Sequence, residues 1–185
     1  MENVERALSV LRGAIENEVN GQRFYDEAAR HCIDPWAKET FSTLAREEEE
    51  HTRLLLVQYG ALETRGQWLD LETAWNTPLT VDVTDLFFQD ERHVPSLFSP
   101  DQSVGETVDR RLDDLSALVF GLGMEQKAIE LYEEQLRITV DSGAQQAYEY
   151  LVLQEREHYD ELKARWETLA GRSFEGQPLP RRPWK

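Results

Sequence analysis

Two copies of one short pattern, Glu48-x-x-His51 and Glu155-x-x-His158, constrain this chain more than any other feature. Thirty residues before each of these glutamates stands another: Glu18 before Glu48, and Glu125 before Glu155. Seven residues after Glu18 and Glu125 comes a tyrosine, Tyr25 and Tyr132. The constellation thus recurs at an offset of 107, and Leu8, Ser9, Leu11, Arg30, Leu44, Glu50 and Leu55 recur with it as identical residues. The chain holds 24 glutamates among 185 residues, so a single glutamate three places before a histidine carries little weight. Two such pairs with the same upstream glutamate point to two similar halves that build one site.

The surrounding periodicity is helical. Val4, Leu8, Leu11, Ile15, Glu18, Gln22, Tyr25, Ala29 and Cys32 follow the alternating 3,4 spacing of a buried stripe, which predicts a first helix over 3–31. Asp34-Pro35 is a start signal, Asp as N-cap and Pro at the first helical position. The second helix is expected from there to about Tyr59, with Gly60 as its stop. Its stripe is Phe41, Leu44, Glu48, His51, Leu55, then Tyr59 or Leu62, while Glu47, Glu49 and Glu50 read as a solvated face. Ser103 to Glu106 has capping-box spacing and opens a third helix to about Val140, with Glu125 and Tyr132 on its apolar stripe. A fourth runs from about Ala144 to Leu169 with Tyr148, Leu151, Glu155, His158, Leu162 and Trp166 on one face, and Gly171 ends it.

Residues 61–102 break the periodicity, with Pro78, Pro95 and Pro100 between apolar islands and a short helix expected near Thr84 to Asp90. Two short links and one long one predict an all-α, ferritin-like four-helix bundle with a long crossover between helices 2 and 3. The crossover aromatics either cap the bundle or enter a dimer interface. The bundle domain is expected over 1–170, and 171–185 as a Pro-rich basic tail, extended and mobile.

A net charge of −16 argues against nucleic acid and against anionic membranes as partners, and suits the attraction of cations. One cysteine, Cys32, leaves no intrachain disulfide framework and no thiolate-rich metal centre, which fits the cytoplasm. The first residues lack the basic and apolar regions of a signal peptide.

Glu and His at i and i+3 lie on one helix face and reach one ion. Two such helices and one glutamate from each of the others give Glu18, Glu48, His51, Glu125, Glu155 and His158: four carboxylates and two imidazoles, a charge match for two divalent ions. That mixture suits iron or manganese. Carboxylates on core stripes need partners, since an unpaired buried charge costs several kcal/mol. A Glu–His salt-bridge network is the competing explanation. Tyr25 and Tyr132 face the same core and are placed to hydrogen-bond the ligand carboxylates, or to act as plain core residues. Gly21 and Gly121 lie within one turn of Glu18 and Glu125, where they leave room for a small oxidant or for close helix packing. His31 and His93 lack matching partners and read as surface or capping residues.

Ala14 to Glu18, Phe24-Tyr25, Leu44-Ala45, Glu48 and His51, Glu125 to Tyr132, and Glu155-x-x-His158 together resemble the rubrerythrin-related branch of the ferritin-like superfamily, over roughly residues 4–169. The resemblance implies a non-haem di-iron site in which Glu48 and Glu155 bridge two irons, Glu18 with His51 holds one, and Glu125 with His158 the other. Two features depart from rubrerythrins proper. The two Cys-x-x-Cys pairs of an appended rubredoxin domain are not in this sequence, and Gly121, Leu122 and Ala128 occupy the turns where an additional glutamate would stand. Both weaken the carry-over of peroxide reductase activity. The expected function is a di-iron oxidoreductase that reduces hydrogen peroxide or dioxygen with electrons from a separate donor protein. Its cofactor would be two iron ions, with manganese or mixed occupancy open, in a homodimer. A ferroxidase or iron-handling protein using the same site, and a non-enzymatic metal-binding bundle, are the alternatives.

Overall fold

A computed structural model describes residues 2–87 and 114–174 of the chain. Their elements are α1 (Glu2–His31), α2 (Pro35–Arg65), α3 (Leu71–Asn76), α4 (Val83–Phe87), α5 (Asp114–Ile138) and α6 (Ser142–Ala170). The four long helices α1, α2, α5 and α6 form the expected all-α bundle. The predicted capping box at Ser103, and His93, lie outside the described residues. None of the described helices is long and apolar enough to cross a membrane.

Local chemistry sets the helix ends. Asp34 caps α2 by accepting from the Trp36 and Ala37 amides, with Pro35 behind it, and Asp141 caps α6 by accepting from those of Gly143 and Ala144. The three-residue links α1–α2 and α5–α6 make antiparallel hairpins, each burying its apolar stripe against its partner. The hairpins themselves pack antiparallel: Phe24 meets Phe120 across α1 and α5, and Thr40 of α2 hydrogen-bonds Glu161 of α6. α2 spans about 46 Å at 1.5 Å per residue. Its far end lies beside the start of α6, where Gln58 hydrogen-bonds both Leu69 main-chain groups. The start of α5 lies at the opposite end, where Asp114 accepts from the Ile33 and Asp34 amides. The end of α2 and the start of α5 therefore lie at opposite ends of the bundle, as the expected crossover requires.

Gly60 is not the stop of α2, contrary to the sequence expectation. The helix runs through it to Arg65, and Gly66 at φ 67° caps it instead. The reason is close approach: a Cβ on Gly60 would stand 3.0 Å from Val81 Cγ2 and 3.2 Å from Thr80 Oγ1. This end of α2 is buried on every side, from Leu54 through Leu62. The segment 68–86 supplies the outer cover, with Trp68 against Tyr148 and Trp75 against Tyr150. These crossover aromatics cap the bundle. The short helix foreseen near Thr84 is α4, and residues 88–90 lie outside the described residues. Beyond the Gly171 cap, Phe174 turns back and packs edge-on against Trp166 at 5.0 Å. Residues 175–185 lie outside the described residues.

Candidate metal centre

Two apolar clusters fill the bundle, one toward each end. Between them lie Glu18 of α1, Glu48 and His51 of α2, Glu125 of α5, and Glu155 and His158 of α6, each no more than 3% exposed. His51 Nδ1 is 3.3 Å from Glu18 Oε2, 3.5 Å from Glu48 Oε2 and 3.1 Å from Glu155 Oε1. His158 Nδ1 is 3.6 Å from Glu48 Oε1, 3.6 Å from Glu155 Oε2 and 3.9 Å from Glu125 Oε2. The arrangement has two-fold character. Each imidazole faces a glutamate of its own, and both share Glu48 and Glu155. The two rings stack at 5.2 Å.

Hydrogen bonding leaves this cluster incomplete. Among the described residues, both carboxylate oxygens of Glu155 and Nδ1 of His158 are buried without a hydrogen-bond partner. The 3.1 Å approach of His51 Nδ1 to Glu155 Oε1 lacks hydrogen-bond geometry. A buried polar group without a partner costs about 1–3 kcal/mol, and more if it is charged. Glu48, His51, Glu155 and His158 each present a ligand atom within 4.8 Å of the others. Hard carboxylate and imidazole donors that converge with orphaned atoms fit a metal ion, and a pure Glu–His hydrogen-bond network does not satisfy them.

Without metal, protons take up the charge. Burial, reinforced by the Glu48 and Glu155 carboxylates, holds the Glu18 and Glu125 carboxyls well above their ordinary range. Burial acts against a charged His51, but contacts with Glu155, Glu18 and Glu48 outweigh it and raise the imidazole well above its ordinary value. His158 is pushed up to about 12, where Glu155, Glu47 and Glu48 outweigh burial. Burial pushes Glu48 and Glu155 upward too. Contacts to Glu18 and the imidazoles hold Glu48 below the ordinary carboxylate value, and the imidazoles and Glu125 do the same for Glu155. Burial and these contacts thus favour protons on Glu18, Glu125 and the two imidazoles, and charge on Glu48 and Glu155, in the metal-free cluster.

Tyr25 Oη donates to Glu125 Oε1, and Tyr132 Oη donates to Glu18 Oε1. Each tyrosine therefore serves the glutamate of the opposite half. Burial, then the facing carboxylate, raises both phenols well above their ordinary value, so they remain donors. Gly21 lets Glu48 sit close, since a Cβ there would lie 3.3 Å from Glu48 Cδ. Gly121 makes room for Leu162 and the Tyr25 ring. Both glycines serve close packing.

Glu47 departs from the sequence reading. It is not on a solvated face: its Oε2 lies 3.1 Å from His158 Nε2, the ring nitrogen turned away from the other carboxylates, and its side chain is 33% exposed. No spacing in the sequence relates Glu47 to His158, because they meet only through the packing of α2 on α6. His31 is an exposed partner of Glu27 at 2.9 Å. Burial and Asp114 push the half-buried Cys32 thiol up to about 12.

The rubrerythrin family model matches residues 5–81, a stretch that contains Glu18, Tyr25, Glu48 and His51. No curated protein and no solved structure matches the chain. The second half repeats the matched pattern and closes the same Glu/His cluster within an all-helical bundle. Residues 5–81 are thus similar to the rubrerythrin family, and the Glu/His cluster of the all-helical bundle fits a di-iron carboxylate site.

Proposed function

We propose that the chain is a non-haem di-iron oxidoreductase that reduces hydrogen peroxide or dioxygen with electrons supplied by a separate protein. One observation supports the reading: the orphaned Glu155 oxygens and His158 Nδ1, in a buried cluster whose donors are shared two-fold between the halves. Glu48 and Glu155, which both imidazoles share, would hold the ions together with Glu18 and His51 from one half and Glu125 and His158 from the other. Manganese fits the same donors. A ferrous pair supplies two electrons, enough to reduce one peroxide. The chain's part is to exclude water between the two apolar clusters, to fix the carboxylates through Tyr25 and Tyr132, and to hold protons on Glu18 and Glu125 that ligation sets free. The single cysteine supports a cytoplasmic setting, and a homodimer that meets oxidative stress completes the proposal.

Ferroxidase activity uses the same donors, so reaction rates must decide between the two. The test loads the protein with ferrous iron without oxygen, then mixes it with peroxide and with dioxygen in stopped flow. Two irons per chain and faster oxidation by peroxide are expected. Repeated turnover of added iron with dioxygen would move the assignment to a ferroxidase. Failure to load iron, or paired loading that survives in Glu155→Ala, would remove the metal site.

A further inference from the structure

The two halves match at all six candidate ligands but not behind the histidines. Behind His158, Nε2 meets the Glu47 carboxylate at 3.1 Å. The repeat places Gln154 where Glu47 stands in the first half. Gln154 is turned elsewhere: its Nε2 donates to Glu157 at 3.1 Å, and its Oε1 accepts from Tyr150 at 3.4 Å. Among the described residues, every carboxylate contact of His51 runs through Nδ1. The edge of the Tyr150 ring meets His51 at 6.2 Å, and the repeat counterpart of Tyr150 is Thr43.

We propose that Glu47 makes the two metal positions unequal, so that the first ion enters the position of His158 and Glu125. The proposal rests on the two-metal reading given above. Once the ring yields its inner proton to an incoming ion, a carboxylate on the outer nitrogen keeps hydrogen on Nε2, leaves the Nδ1 lone pair directed inward, and makes the imidazole a stronger donor. Among the described residues His158 has this support and His51 does not. The ring of His158 is also held against rotation before any ion arrives, so less ordering is needed on binding. Glu47 is a positioning residue that acts through His158.

Metal-free full-length protein should be titrated with cobalt(II) by calorimetry, while paramagnetically shifted imidazole N–H resonances are followed by NMR. Wild type should fill in two steps at least about tenfold apart, with one N–H protected from solvent exchange after the first equivalent. Glu47→Gln should weaken the first step about 10- to 100-fold, merge the two steps and abolish that protection. Gln154→Ala should preserve both steps, which separates the role of Glu47 from a general surface effect. Circular dichroism of each variant confirms that the fold is intact, and Glu47→Ala serves if the glutamine oxygen still accepts from the Nε2 hydrogen. One unresolved step in wild type, wild-type binding by both Glu47 variants, or merged steps in Gln154→Ala would overturn the proposal and leave the metal site standing. If wild type takes up no cobalt, the metal site and the proposal fall together.

Discussion

Tyr25 and Tyr132 show how single side chains tie the two halves into one site. Each sits on the first helix of its own hairpin and donates to a glutamate on the first helix of the other. A hydroxyl removed here strands a buried carboxyl oxygen, at a cost of about 1–3 kcal/mol. Tyr132→Phe should therefore lower the stability of the metal-free protein by that amount in urea unfolding, with its slope unchanged. It should also weaken metal binding at the Glu18 and His51 position, although Tyr132 belongs to the other half. A stability equal to wild type would show that the hydroxyl contributes only packing. That these tyrosines faced the site followed from their spacing; which glutamate each would reach did not, because it depends on the antiparallel meeting of α1 and α5.

Among the elements, α2 departs furthest from its sequence pattern. A glycine after an amphipathic run reads as a stop, yet Gly60 lies within the helix because another segment presses on it. The uninterrupted apolar run Leu54 to Val57 was the available signal that this end is enclosed on all sides. The same segment rests on the start of α6, where a Cβ on Gly143 would lie 2.7 Å from the Leu69 carbonyl oxygen and 3.0 Å from Trp68 Cβ. Gly143→Ala must push 68–69 away and break the paired hydrogen bonds of Gln58. A loss of about 1–3 kcal/mol is expected, read by thermal or urea unfolding, with metal stoichiometry retained because Glu155 lies more than three turns along α6. Lost stoichiometry would mean that the crossover also positions the site.

At the scale of the whole molecule, folding and metal binding are linked through protons. The unfolded chain releases the protons of Glu18 and Glu125 above about pH 4.5 and those of His51 and His158 above about 6.5, whereas the metal-free fold holds all four more tightly. The folded state then binds more protons, so the metal-free protein loses stability as pH rises from 6 to 8. Glu48 and Glu155 work the other way, but their contribution is lost only as pH falls below the ordinary carboxylate value. Two divalent ions should displace protons from these four groups, a release measurable with an indicator dye in weak buffer. The gap in Tm between loaded and metal-free protein should widen from pH 6 to pH 8 at constant free metal, and a gap that narrows would contradict this charge state. The helix stripes, the hairpin links and the six buried polar residues were legible in the sequence, because helical period and an exact internal repeat are local properties that survive without coordinates. The enclosure of α2 by the crossover, the exchange of tyrosines between halves and the Glu47–His158 contact were not legible, since each joins residues from different helices whose distance is set only when the hairpins pack.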